Sequence, residues 1–206
     1  MWVNRRPANR SYVAGMKPTE ILTAEHRVIE QVLACLEQMA AQAMATGQVE
    51  RAPALQALEF FRMFADKCHH GKEEAQLFPL MEARGFPRNG GPTGVMLHEH
   101  EQGRACVRAM AAAIEKQAAM DFAAHARQFI ALLAQHIQKE DHCLFAMADQ
   151  RFSAADQTML LAQFEKVEHE EMGAGTHEKY LSLANDLAKK YGVPPTVDGH
   201  HSCGHH

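Results

Sequence analysis

Two stretches of this chain align without a gap: HHGKEEAQLF at 69–78 and HIQKEDHCLF at 136–145. Their shared frame is H-x-x-K-E-[ED]-x-x-L-F. Residues four apart share one face of a helix. His69 with Glu73, and His136 with Glu140, therefore set an imidazole and a carboxylate side by side. Leu77 and Leu144 continue the same two stripes four residues on, which marks the stripes as core-facing. Polar pairs on core-facing stripes must meet partners when they are buried. The repeat thus restricts the fold to one in which helices converge on these residues.

The rest of the chain reads as helix. Alternating β-branched runs are absent, and Ala, Leu, Met, Gln and Glu, all strong helix formers, dominate. Breakers are clustered. ATGQVERAP (45–53) separates a first helix from a second, and RGFPRNGGPTG (84–94) ends the second and opens a third, with Pro92 in its first turn. A fourth helix runs from near Asp121 to near Arg151. Ser153 can cap a fifth, with Asp156 in the capping-box position. Residues 173–175 break before a sixth, which stops at YGVPP. Apolar residues recur at helical spacing: Ile21, Val28, Val32 and Leu36; Leu58, Phe61 and Phe64; Phe129, Leu132 and Leu133. Long amphipathic helices with short connections predict an all-α fold, an antiparallel up-down four-helix bundle with an additional C-terminal helical hairpin. The expected organisation is a mobile N-terminal extension at 1–16, the bundle at 17–151, the hairpin packed on it at 152–192, and a disordered histidine-rich tail at 193–206.

Histidine usage is the compositional anomaly: 14 residues, four of them in the last seven. Every helix of the expected bundle carries at least one. The first has His26. The second offers His69, His70, Glu73 and Glu74. On the third stand His98 and His100, and on the fourth His136, Glu140, Asp141 and His142. A lone histidine on an apolar face is more often a hydrogen-bonded core residue than a ligand, and an isolated His–Glu pair is commonly a surface pair. Joint occurrence on four helices favours metal. Imidazole suits Fe, Zn, Cu and Ni, carboxylate suits harder ions, and only the carboxylate readily bridges two. The mixture points to a dinuclear centre, with iron the best match. The Glu-x-x-His motif of ferritin-like bundles does not occur here. His98 and His142 stay open as ligands, whereas His125, His169 and His177 read as surface or supporting residues. Cys68 and Cys143 read as small apolar fillers.

Other classes are set aside by composition. The formal charge is −4, which gives no electrostatic footprint for nucleic acid. No apolar run approaches the ~20 residues of a membrane span. Five cysteines without a CxxC pair argue against a disulfide framework or a thiolate zinc site. A reducing cytoplasm is the expected compartment. The N-terminus is basic but has no apolar signal core.

EHRVIEQVL, CHHGKEEAQLFP, MLHEHEQGR and HIQKEDHCLF together resemble the bacterial hemerythrin-like (HHE cation-binding) domain over roughly residues 17–150. The resemblance implies two non-haem iron ions with an oxo or hydroxo bridge, held by five histidines and two bridging carboxylates. Relatives bind or sense oxygen, sense iron, or handle nitric oxide and peroxide. The chain departs from the oxygen-carrying hemerythrins on the third helix, where His100 has Met96 and Arg104 at the ±4 positions instead of a second histidine. The doubled His69–His70 can make up the deficit. The metal ligands implied are His26, His69, His70, Glu73, His100, His136 and Glu140. Glu74 and Asp141 form a rival register for the carboxylates, and otherwise orient imidazoles from outside. The expected function is uptake or sensing of a small diatomic, O2 or NO. Turnover of peroxide or nitric oxide, or a structural metal module, stand as alternatives. An open coordination position is expected beside Leu77, Leu144 and Phe145.

Overall fold

The computed structural model describes residues 15–168 and 175–196. Most of the expected N-terminal extension, His169 and most of the histidine-rich tail lie outside the described residues.

The protein is all-α, and the described residues contain helices and no strand. The first bundle helix is α1 (Pro18–Thr46). It closes at Gly47, whose φ of +69° is the left-handed cap that glycine adopts without a Cβ penalty. The second bundle helix is continuous but changes winding. It passes from α2 (Arg51–Phe60) into a π-helical stretch, π1 (Phe61–His70), then π2 (Glu73–Leu77), then α3 (Phe78–Ala83). The third is α4 (Pro92–Glu115), with Pro92 in its first turn. The turn before it requires glycine. A Cβ on Gly91 would lie 1.7 Å from the Pro87 carbonyl oxygen. The fourth comprises α5 (Ala119–Lys139), π3 (Glu140–Leu144) and α6 (Phe145–Arg151). Ser153 caps α7 (Ala154–Val167) with the expected reciprocal box: its hydroxyl accepts from the Asp156 amide at 3.2 Å, and Asp156 accepts from the Ser153 amide at 3.0 Å. The last helix, α8 (Thr176–Tyr191), ends at Gly192.

Cross-helix pairs show that neighbouring bundle helices run antiparallel. Lys17 and Thr19 meet Asp149, His26 meets Asp141, and Glu37 meets Arg127. In the same way Glu82, Glu74 and Asp66 meet Thr93, His100 and Arg104 in turn.

The core has two apolar clusters. The larger contains Val32, Leu36, Leu58, Phe61, Phe64, Met110 and Phe129, joined by Tyr180, Ala184 and Leu187 of α8. The smaller contains Leu22, Leu77, Phe78, Leu144 and Phe145, joined by Leu160 and Phe164 of α7. Fully burying each large side chain contributes roughly 1.5–3 kcal/mol. The buried histidines occur in sequence between members of the two clusters: His26 between Leu22 and Ile29, His136 between Leu133 and Leu144. A polar layer is thus held between two apolar ones.

Candidate metal centre

Seven side chains from four bundle helices reach this layer. They are His26 from α1, His69 and His70 from π1, Glu73 from π2, His100 from α4, His136 from α5 and Glu140 from π3. All are buried, none more than 6 % exposed. Their ligand-capable atoms form two groups, each within 4.8 Å: His26, His69, Glu73 and Glu140; and His70, Glu73, His100 and His136. His69 and His70 are adjacent in the chain yet serve different groups. The local winding here is π-helical, a form that recurs at functional sites.

The two glutamates lie between the groups. Glu73 turns Oε1 toward His69 and Oε2 toward His100, each 3.6 Å from an Nε2. Glu140 turns Oε2 toward His26 and Oε1 toward His136, each at 3.2 Å. All four oxygens, and Nε2 of His26 and His69, lack a hydrogen-bond partner although they are buried. Nε2 of His100 and Nε2 of His136 face each other at 3.1 Å. Buried polar atoms are nearly always paired, so this many inward-facing orphans in one place fit a cation. Glu73 belongs to both groups, and Glu140 of the first turns its other oxygen toward His136 of the second, an arrangement that would fit two cations.

Electrostatics point the same way. Burial, then the facing Glu140, pushes Glu73 well above the ordinary carboxylate range. Burial opposes the charge of Glu140 as well, but His136 and His26 outweigh it and hold it well below that range. Burial lowers His69 to about 4, and takes His70 well below its ordinary value. Burial also disfavours charge on His136, yet Glu140 and Glu99 bring it up to about 9. Two carboxylates face to face cannot both ionise cheaply without a positive charge between them. A bound cation would supply that charge.

The outer faces of the imidazoles are equally ordered, since every Nδ1 meets a carboxylate. The pairs are His26 with Asp141 at 2.8 Å, His69 with Glu25 at 2.9 Å, His70 with Asp66 at 3.4 Å, His100 with Glu74 at 2.7 Å and His136 with Glu99 at 2.9 Å. A neutral ring that donates Nδ1–H outward turns the lone pair of Nε2 inward, as metal-bound histidine does. Glu74 and Asp141 thus stand on Nδ1 atoms, outside the layer that Glu73 and Glu140 occupy. Helical spacing alone does not single out Glu25, Asp66 and Glu99. A signal for two of them was present: an Glu-His dipeptide occurs on the first and third helices, Glu25-His26 and Glu99-His100.

The remaining candidates lie elsewhere. His98 and His142 are exposed, and His98 bonds Gln102. His125 is half-buried away from both groups, and His177 packs its ring 5.5 Å from Phe64. Cys68 is buried with its thiol pushed up to about 12, which keeps it protonated, and Cys143 is exposed. A third cluster, Glu25, Glu168 and His177, brings ligand-capable atoms together. There the Lys72 ammonium already bonds both glutamates.

A cavity of about 150 Å³ opens onto the second group. Its floor includes His70, His100 and His136, and its walls Phe61, Val107, Phe129 and Leu133. Leu77, Leu144 and Phe145 are instead packed into the smaller apolar cluster, so the space beside the centre lies on the other side from the one expected. No helix among the described residues is long and apolar enough to cross a membrane.

The family model of the Hemerythrin HHE cation binding domain matches residues 17–148. Uncharacterized proteins of Mycobacterium tuberculosis and Mycobacterium bovis are 26 % identical to the chain over 181 residues, which is 84 % of this chain and 70 % of each of theirs. No solved structure matches it.

Proposed function

The chain belongs to the hemerythrin HHE cation-binding family, and we propose that it holds two non-haem iron ions, joined by an oxo or hydroxo bridge, and takes up a small diatomic gas, O2 or NO. The observation that carries this reading is the pair of buried glutamates. Each directs one oxygen to each imidazole group, and none of the four oxygens has a hydrogen-bond partner. Imidazole with bridging carboxylate is a donor set suited to iron. When bound, such a metal pair supplies reversible electron donation to a diatomic ligand.

The protein's own residues set the conditions. His70, His100 and His136 give one group three imidazoles, and His26 and His69 give the other two. With both carboxylates shared, the His26–His69 group offers one donor fewer. The small volume and apolar walls of the cavity admit a small uncharged molecule, and Arg62, Arg104 and Arg108 line it as well. Asp66 and Glu99 also line it. Burial opposes the charge of Asp66, but His70 and Arg104 hold it at about 2; His136 and Lys139 likewise lower Glu99. Neither carries a proton to deliver at neutral pH. That favours binding over repeated turnover, since general acid catalysis needs a protonated group within reach.

The test is reconstitution with iron, followed by visible spectra of the reduced protein under O2 and NO. Two irons per chain and a gas-dependent spectrum are expected. Saturation at one metal, or a spectrum indifferent to both gases, defeats the reading. Sustained consumption of peroxide would make the protein an enzyme instead.

A further inference from the structure

The repeated frame contains a lysine that the metal donors do not use: Lys72 in one copy, Lys139 in the other. Both do the same thing in the fold. Lys72 donates to Glu25, whose other oxygen accepts from His69 Nδ1 at 2.9 Å. Lys139 donates to Glu99, whose other oxygen accepts from His136 Nδ1 at 2.9 Å. In each case the histidine and lysine come from the frame, three residues apart. The carboxylate comes from the Glu-His dipeptide of the neighbouring helix. The remaining members of the repeat follow the same exchange, Asp141 meeting His26 and Glu74 meeting His100. The centre is therefore built from two equivalent halves.

We infer that Lys72 and Lys139 are positioning residues of the metal centre, each locking a glutamate against Nδ1 of an imidazole so that Nε2 stays aimed at the metal. This rests on the metal reading given above. The ammonium fixes the rotamer of the glutamate, and the glutamate fixes the ring and its tautomer. Lys72 departs from an ordinary ion pair in its burial. It is 0 % exposed, and an ammonium is buried at heavy cost unless its site demands it. Replacement by an apolar residue would suit mere packing better.

Beyond the extra imidazole of His70, the halves differ in how their lysines are covered. Lys139 retains 43 % side-chain exposure, whereas Lys72 is covered by α7. Its ammonium also bonds Glu168, just past the end of that helix, and lies 5.8 Å from the Phe164 ring centre. The His26–His69 group, the one short of a donor, is thus tied through Lys72 to the C-terminal region.

The test uses the full chain loaded with Zn2+, a diamagnetic probe, and reads the imidazole Nδ1–H protons by NMR together with zinc affinity by chelator competition. Lys139→Met is expected to speed exchange of the His136 Nδ1–H, leave that of His69 unchanged, and weaken zinc binding about tenfold, the lower end for outer partners of metal-bound histidine. Lys139→Arg is expected to restore both. Lys72→Met is expected to act on His69 instead, with a larger loss because Lys72 is fully buried. Should Lys72→Met fail to fold, the exposed Lys139 variants decide alone. Unchanged His136 exchange and zinc affinity within twofold of the parent would overturn the inference while leaving the metal reading standing. A parent chain that binds neither zinc nor iron overturns both.

Discussion

At the scale of single residues, the centre depends on which ring nitrogen is free. Outer carboxylates take Nδ1 of all five histidines, so five Nε2 atoms are left to converge with Glu73 and Glu140. Replacing His136 or Glu140 by Ala removes a donor from the repeated frame and is expected to abolish binding of the metal pair, measured as iron per chain. His125→Ala, away from both groups, is expected to leave iron content unchanged. Retention of two irons by His136→Ala would refute the donor assignment. Stability in acid is expected to depend on another residue. Arg84 and Ser153 hold the Asp156 carboxyl at about 2, below its ordinary 3.8. A depressed folded value stabilises above the unfolded value and loses that contribution as pH falls through the folded one. Unfolding of the parent should therefore become easier between about pH 4 and pH 2, and Asp156→Asn should flatten that slope in urea titrations. An equal slope in both would show that the contact does not form.

At the scale of elements, the bundle helices are shaped around the site. Winding in the second and fourth becomes π-helical where Glu73 and Glu140 stand, as is frequent at functional sites. On α4, Gly103 lines the cavity, and a Cβ there would sit 3.5 Å from the Phe129 ring, ordinary contact distance. Gly103→Ala is therefore expected to be tolerated, stabilising the helix by up to about 1 kcal/mol in denaturant unfolding. Gly103→Leu has the bulk to occupy the cavity and is expected to slow the reaction of the reduced protein with NO, followed by stopped-flow absorbance. Equal rates in the parent and Gly103→Leu would exclude the cavity as the route inward. At α7, the Ser153 hydroxyl satisfies an otherwise free amide. Ser153→Ala should cost about 1 kcal/mol without changing metal content.

At the scale of the whole molecule, two apolar clusters enclose a polar layer that is unsatisfied without a cation. The clusters contain most of the large buried side chains, so the metal-free chain should remain helical. It should nevertheless melt lower, because stripping metal leaves buried carboxylates facing each other. Binding adds about 4 kcal/mol when free metal stands at a thousand times its Kd. For a chain of this size that raises the melting temperature by roughly 10 °C. Calorimetry with and without chelator reads the difference, and equal melting temperatures would count against a core site. The two C-terminal helices cover different parts of the bundle. Leu160 and Phe164 of α7 join the smaller cluster, while α8 joins the larger and is fastened by Tyr180 to Glu59 and Tyr191 to Glu50.

Helical class, the breaks between helices and the cap at Ser153 were legible in the sequence because each follows from local chemistry: propensity, glycine and proline placement, and a side chain reaching three residues along. Convergence of His26, His69, His70, Glu73, His100, His136 and Glu140 was legible too, since a polar pair repeated on a core-facing stripe has few places to go. Tertiary structure alone decided what stands behind them. Glu25, Asp66 and Glu99 reach their histidines from residues that look like ordinary surface acids, and three of the five outer contacts join helices more than 35 residues apart in sequence, or 44, 115 and 37 residues in turn. Which oxygen of Glu73 faces which imidazole, why adjacent His69 and His70 part company, and on which side the cavity opens depend on how four helices are rotated about their axes. Spacing along one chain records the face a residue occupies, and only packing records what that face meets.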